Sequence, residues 1–289
     1  MSTISSSTFN LNKFYSLLPA HITSDMLDGP FLTWFIGFFE ADGSFEKDGR
    51  VNITQSTGDI QVLNKVSTML GSGSVRSHNP AYDSKAGKQV GGTSRWRTKA
   101  SDVALAARLA LLFNNNIVTG SKLKSFQAWC DFWMKNPYFL KLVGPDFVVQ
   151  QAARPGLMSF DNGWLSGFID GDGHWGITLS KVKSKPNPAA SIRMAVAAQG
   201  DTEWIENAIK VLNMGRRDPK TGVKNVKWTV NKQEDLEVLI RYIEKFNHKT
   251  KKAISFTKWC KLRRRVLNKE HYGNGYDKIK ALSLEINKT

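Results

Sequence analysis

Two aspartates stand in the same unusual setting, 130 residues apart. Asp42 closes the run Trp34-Phe35-Ile36-Gly37-Phe38-Phe39-Glu40-Ala41-Asp42-Gly43. Asp172 closes the run Trp164-Leu165-Ser166-Gly167-Phe168-Ile169-Asp170-Gly171-Asp172-Gly173. Each run is apolar and helix-like, and ends on an acid and a glycine. A helix carries about half a negative charge at its C-terminus, so an acid there is repelled by roughly 0.3–1 kcal/mol. Basic residues are the usual choice in that last turn. Gly43 and Gly173 are expected as left-handed stops. A carboxylate beside helix-end carbonyls, those of Ala41 and Gly171 included, makes an oxygen-rich, negative pocket that a hard divalent cation such as Mg2+ would stabilise. A single such acid could be an ordinary surface residue; two matched copies favour a pair of metal ligands.

The rest of each run suits a close helix pair. Gly37 and Ala41 are four apart, as are Gly167 and Gly171. Small residues at that spacing share one helix face and let another backbone approach. Both segments are otherwise almost wholly apolar, which predicts burial on most sides. The simplest arrangement packs the two helices on each other and brings Asp42 and Asp172 to one edge of the interface.

The internal repeat extends beyond these helices. Lys122-Leu123-Lys124-Ser125-Phe126-Gln127-Ala128-Trp129-Cys130 matches Lys252-Ala253-Ile254-Ser255-Phe256-Thr257-Lys258-Trp259-Cys260 at the same offset of 130. In between, Gln55 pairs with Gln199 and Gly71 with Gly215 at 144, and Trp96 with Trp228 at 132. Fixed elements joined by loops of varying length produce such drift. Each copy predicts a motif helix, a strand pair (44–46 with 50–55; 175–181 with 192–199) and a helix (58–70; 202–213). A second strand pair (73–77 with 93–99; 216–218 with 225–230), a helix (102–114; 233–247) and a last helix from Lys122 or Lys252 follow. Arg50-Val51-Asn52-Ile53-Thr54-Gln55 shows the period of two that marks a half-buried strand. The expectation is an α+β fold of two tandem αββαββα repeats. Residues 31–136 and 160–268 form the repeats, 137–159 the linker, 1–30 a lead-in and 269–289 a polar tail.

Cys130 and Cys260 fall at equivalent repeat positions, as buried packing thiols would. Two cysteines give no disulfide framework, so a reducing, intracellular setting is expected. No apolar run reaches the roughly 18 residues of a membrane span, and the N-terminus lacks the basic and apolar regions of a secretory signal.

The net charge of +16 and pI near 9.8 point to a phosphate-rich partner. Positive charge gathers on the proposed strands and their loops. Arg76, Arg95, Arg97 and Lys99 lie in the first copy; Lys181, Lys183, Arg193, Arg216, Lys224 and Lys227 lie in the second. Strand alternation puts Arg95, Arg97 and Lys99 on one face, with Trp96 and Thr98 on the other. Any one of these cations could be a solvated surface residue; the set favours nucleic acid. The tract 258–265 is equally basic and reads either as a solvated helix face or as a phosphate contact.

Two carboxylates, a divalent metal and a phosphodiester suit metal-assisted hydrolysis. Lys122 and Lys252 could hold water or balance charge, and Gln55 and Gln199 could position water, unless they are plain surface lysines and strand-edge amides. The repeated Gly-Phe-Phe-Glu-Ala-Asp-Gly and Gly-Phe-Ile-Asp-Gly-Asp-Gly, in this element order, resemble the LAGLIDADG homing endonucleases of the single-chain, two-repeat kind, over roughly residues 31–265. That resemblance implies a pseudo-twofold monomer with a central two-helix interface and two saddle-shaped antiparallel sheets set in the DNA major groove. It implies metal binding by Asp42 and Asp172, with Gln55, Gln199, Lys122 and Lys252 as a supporting polar shell. Both strands of an asymmetric site of about 20 base pairs would be cut, leaving 3′ overhangs. Mg2+ is the expected ion, with Mn2+ able to replace it and Ca2+ binding without cleavage. Glu40 and Asp170 would be structural. Ser166 replaces a small apolar residue of the motif, and His174 stands where the first copy has Ser44. The alternative is a maturase of the same fold that binds intron RNA and assists splicing. Organelle and microbial cytoplasm fit equally well.

Overall fold

The computed structural model describes residues 9–22, 27, 29–83, 88–181, 184, 186–199, 201–219 and 225–288. The chain divides into two compact units, Met1–Gly171 and Asp172–Thr289. The first takes in almost all of the second motif helix as well as the first repeat.

The first unit opens with a short helix, α1 (Asn12–Tyr15), anchored by the buried Phe14. The motif helix α2 (Gly29–Asp42) follows, buried continuously from Phe31 to Glu40 because nearly every residue is apolar. Then come β1 (Gly43–Phe45), β2 (Val51–Ser56), α3 (Ile60–Leu70), β3 (Ser74–His78), β4 (Ala81–Asp83), β5 (Lys88–Val90), β6 (Thr93–Arg97), α4 (Val103–Phe113), α5 (Gly120–Trp133) and α6 (Pro137–Val143). The antiparallel sheet β1-β2-β6-β3 carries the repeat, and β4 and β5 form a separate hairpin between β3 and β6. Val51, Ile53 and Trp96 are buried on the sheet's inner face, and Phe39, Phe45, Phe113, Phe126 and Trp129 form a cluster of contacting rings. Asp102 caps α4 by accepting from Leu105 N at 3.0 Å. Asn136 caps α6 in the same way, with proline in its first turn, so part of the expected linker is helical.

The motif helix α7 (Trp164–Asp172) leads into β7 (Gly173–Ser180), β8 (Ala189–Gln199), α8 (Glu203–Leu212), β9 (Arg216–Pro219), β10 (Asn225–Val230), α9 (Gln233–Lys245), α10 (Lys252–Leu267) and α11 (Tyr276–Leu284). The second sheet has the same topology, β7-β8-β10-β9. Its inner face buries Trp175, Met194, Val196 and Trp228. The C-terminal tail docks: Ile279 and Ile286 are buried, and Asn287 Nδ2 donates to Trp175 O at 2.8 Å. Each copy therefore runs αββαββα and continues into one further helix, α5 or α10, within an α+β fold. Among the described residues no helix is long and apolar enough to cross a membrane.

Strand register corrects the alignment of the two copies. Gly43 pairs with Ile53, and Ile53 with Trp96; Gly173 pairs with Val196, and Val196 with Trp228. Ile53 thus corresponds to Val196, and two residues further along each strand Gln55 corresponds to Ala198, not to Gln199. Similarly, Gly73 and Gly215 share a role. Both have positive φ (96° and 76°), and a Cβ on either would strike the indole Nε1 of Trp96 or Trp228 at 2.2 or 2.5 Å. The residue matching Gly71 (φ 66°) is Asn213 (φ 48°).

Candidate metal and nucleic-acid site

The crossing of α2 and α7 within the first unit is a backbone contact. A Cβ placed on Gly37 would lie 2.0 Å from Trp164 O, and one on Gly167 would lie 1.9 Å from Trp34 O. Only glycine admits such an approach. At the far end of the crossing, a Cβ on Gly171 would lie 2.4 Å from the Ala41 methyl and 3.1 Å from Asp42 Oδ2. Gly37, Ala41, Gly167 and Gly171 all lie in the contact.

Exchanged hydrogen bonds fasten the same crossing. Trp34 Nε1 donates to Asp170 Oδ2 at 3.2 Å, and Trp164 Nε1 donates to Glu40 Oε1 at 2.8 Å. Glu40 also accepts from Val118 N, Thr119 N and Thr119 Oγ1. Burial pushes the Glu40 pKa up, and the donors Thr119, Trp164 and Val118 pull it back. Glu40 and Asp170 are thus engaged in holding the helices.

Asp42 ends α2 and Asp172 ends α7, and neither helix has a basic residue in its last turn. Gly43 and Gly173 do not adopt the left-handed backbone expected of them; each opens a strand directly. A Cβ on Gly43 would strike the Phe39 ring at 2.2 Å, which supplies a packing reason for that glycine. Gln55 Nε2 donates to Asp42 Oδ2 at 2.6 Å. Lys122 Nζ donates to Gly43 O at 2.5 Å, and Lys252 Nζ donates to Gly173 O at 2.6 Å. The two lysines therefore hold the same carbonyl in each repeat, directly after the acid. The Gln199 backbone pairs with Asn225, and its side chain lies outside the described residues.

The donor set suits a hard divalent ion. Carboxylate and carbonyl oxygens gather at a helix terminus whose dipole is negative, and Asp42, Ala41 and Gly171 are immediate neighbours. Among the described residues no group of three or more His, Cys, Asp or Glu forms, so each aspartate would serve with backbone and substrate oxygens.

The open face of the first sheet carries Arg95 opposite both Thr54 and Arg76, and Arg97 opposite Asn52 and Ser74. Arg76, Arg95 and Lys99 are exposed, while Trp96 and Thr98 are buried on the reverse side. Arg76, Arg95, Arg97 and Lys99 line one cleft together with Arg50 and His78. Arg97 is paired with Glu46, and Arg95 Nε donates to Thr54 Oγ1 at 3.1 Å. In the second sheet, Arg193 and Lys227 are half-buried and Arg216 pairs with Asp218 at 2.7 Å. Lys181 lies 4.5 Å from the Tyr276 ring centre. Lys183 and Lys224 fall outside the described residues. Partial burial, then Arg193, Lys227 and Lys252, push the His174 pKa down. The open-face residues Asn52, Thr54 and His78 escaped the sequence reading; alternation from Arg50 to Gln55 was the signal for the first two.

The basic tract after Lys258 is largely engaged within its own unit. Lys258 Nζ donates to the carbonyls of Glu285 and Lys288, Arg263 pairs with Glu237 at 2.7 Å, and Arg265 pairs with Glu270 at 2.7 Å. Three of its cations thus serve folding contacts.

Residues 165–263, the second repeat, match the family described as LAGLIDADG endonuclease. A Neurospora crassa protein named probable intron-encoded endonuclease 4 is 30% identical over 83% of this chain, and the chain spans 41% of that relative's length. The fold resembles meganuclease I-SmaMI bound to uncleaveable DNA, with a TM-score of 0.68 at 19% identity, covering 89% of this chain and 99% of the other. It also resembles LAGLIDADG meganuclease I-AabMI bound to uncleaved DNA, with a TM-score of 0.65 at 15% identity, covering 89% and 99%. The second repeat thus matches the LAGLIDADG endonuclease family, and the chain as a whole has the fold of these meganucleases, with two repeats on one polypeptide.

Proposed function

We propose that this chain is a site-specific double-strand DNA endonuclease of the homing type, acting as a monomer on an asymmetric site of about 20 base pairs with Mg2+ as the ion. One observation carries the reading. In both repeats an aspartate ends the motif helix and a lysine on a later helix holds the carbonyl of the very next residue. The endonuclease names borne by the relatives support it over the RNA-splicing alternative.

Asp42 with the Ala41 and Gly171 carbonyls, and Asp172 in the second repeat, are the residues that would hold the ion. A divalent ion there would supply Lewis-acid stabilisation of the charge that develops on the phosphate. Lys122 and Lys252 bring a positive charge to the residue that follows each aspartate, anchored by the Gly43 and Gly173 carbonyls. Gln55 fixes Asp42 Oδ2 by its amide. Arg76, Arg95, Lys99, Arg193 and Lys227 supply phosphate and base contacts from the open sheet faces, Arg giving bidentate contacts to guanine.

The test is cleavage of a randomised double-stranded DNA library with Mg2+, Ca2+ or EDTA, followed by sequencing of the cut ends. Cutting at one long site with Mg2+, leaving 3′ overhangs, is the expected result. No cutting with any divalent ion, alongside tight binding of structured RNA, would overturn the reading.

A further inference from the structure

A carboxylate is bonded to one arginine of the basic cleft on the first sheet. Arg97 lines that cleft beside Arg50, Arg76 and Arg95, and its Nη2 pairs with Glu46 Oε2. The other oxygen, Glu46 Oε1, accepts from Asn52 Nδ2 at 2.6 Å. Asn52 and Arg97 are cross-strand partners on β2 and β6, so the three side chains form one group on the open face. The group is partly open to solvent: the Arg97 side chain is 36% exposed and that of Glu46 is 24% exposed. Its footing is firm. Glu46 closes the turn between β1 and β2, donating its backbone N–H to Arg50 O at 2.8 Å. Gly49 in that turn has φ 82°, and its carbonyl accepts from Trp129 Nε1 at 2.8 Å and Trp133 Nε1 at 3.0 Å. Two buried indoles hold the turn, and the turn holds the carboxylate.

On the endonuclease reading above, we propose that Glu46 is a positioning residue that sets Arg97 and Asn52 to read one G·C base pair in the major groove, with guanine at Arg97 and cytosine at Asn52. A guanidinium already neutralised by a carboxylate has little charge to offer a phosphate, and the carboxylate repels one. What the group keeps is direction. An ionised carboxylate only accepts, so Glu46 fixes which end of the Asn52 amide faces it and leaves Oδ1 as an acceptor. Glu46 takes one Arg97 donor and the Arg97 Nε is enclosed, so the terminal nitrogens supply the N–H groups for a ligand. In the major groove guanine presents two acceptors, O6 and N7, and its cytosine presents the N4 donor. Arginine donors beside an amide acceptor complement that edge. Preorganisation by a fixed acid sharpens such a contact, because less side-chain ordering remains for binding.

The experiment uses the full chain and the target recovered from a randomised duplex library, by cutting in Mg2+ or by binding in Ca2+. Each base pair of that target is changed in turn, and affinity in Ca2+ is measured for the native chain, Arg97→Lys and Glu46→Gln. The native chain should prefer G·C by about tenfold or more at the position these variants affect, the size of a bidentate base contact. Arg97→Lys keeps the charge and loses the planar fork. It should flatten the preference at that position and leave the others as they were, whereas a phosphate contact would survive the change. Glu46→Gln should flatten the same position while affinity for unrelated DNA rises, since a negative charge has left the cleft. Both variants should melt with the native chain, because a partly exposed ion pair adds little stability. Preference for another base pair at that position, an unchanged preference in both variants, or a loss spread over all positions would overturn the inference while cutting continues. Selective binding at that pair without cutting in Mg2+ would overturn the endonuclease reading alone. Neither cutting nor any sequence preference in binding would overturn both.

Discussion

Trp164 donates its indole N–H to Glu40 at 2.8 Å, and Trp34 repays the contact at Asp170 from the opposite helix. A tryptophan and an acid of each motif are therefore engaged in joining α2 to α7. The last acid of each motif remains at the helix end. This separates two positions within one short segment: Glu40 and Asp170 hold the helices together, while Asp42 and Asp172 end them.

Glu40→Gln should destabilise the first unit by about 1–3 kcal/mol, because three N–H groups and one hydroxyl converge on the two carboxylate oxygens, and an amide leaves buried donors without an acceptor. The pH dependence follows from the raised Glu40 pKa. The folded chain binds this proton more tightly than the unfolded one, so the contribution is fully present below the ordinary carboxylate range. It declines as pH rises through the folded value. Urea unfolding between pH 4 and 8 checks it: the stability gap between the native chain and Glu40→Gln should narrow as pH rises. A gap that widens would contradict the account.

Gly37→Ala and Gly167→Ala each drive a methyl into a carbonyl of the facing helix, at 2.0 and 1.9 Å. Overpacking of a rigid contact costs about 1–3 kcal/mol or more. Each variant should melt lower by several degrees, which calorimetry measures directly. Gly156→Ala, where a Cβ meets nothing, serves as the control and should melt with the native chain.

Both cysteines should resist thiol reagents in the native state. Burial pushes the Cys260 thiol up to about 11 and Cys130 higher still, so thiolate is scarce at neutral pH. Reaction with a disulfide reagent at pH 7.5 should yield no fast thiol, and two upon unfolding. A fast-reacting native thiol would show that the α5 or α10 packing is wrong.

Lys122→Met and Lys252→Met remove the cation held at the Gly43 or Gly173 carbonyl. Each should slow cutting of one strand by about a hundredfold or more, in the range of a lost proton-handling or charge-balancing group. Affinity for target DNA in Ca2+, measured by gel shift, should change by less than about tenfold, since many phosphate contacts share the binding.

Much of this was legible in the sequence because helix and strand periods are strong signals. The motif helices, the element order and the two lysines follow from matched runs in which residue type and spacing agree. The middle of each repeat was harder. Gln55 and Gln199 look alike at an offset of 144, yet the sheet aligns Gln55 with Ala198. Strands alternate with a period of two, so a slip of one residue exchanges the faces and a single matched residue cannot fix the gap. Gly71 misled in the same way, because glycine and asparagine both accept the left-handed turn and Asn213 fills that place in the second copy. The docking of the tail through Asn287 and Ile286 was out of reach, since short polar helices carry little of the pattern that reveals a partner.

The most direct test of the central claim is strand-specific cleavage of the target by Asp42→Asn and Asp172→Asn, each with Mg2+ and with DNA affinity recorded in Ca2+. The account predicts that each variant loses one strand cut and keeps the other, with affinity within about tenfold of the native chain. Affinity that falls as far as cleavage does, or both cuts surviving both substitutions, would contradict it and return the two aspartates to a structural role.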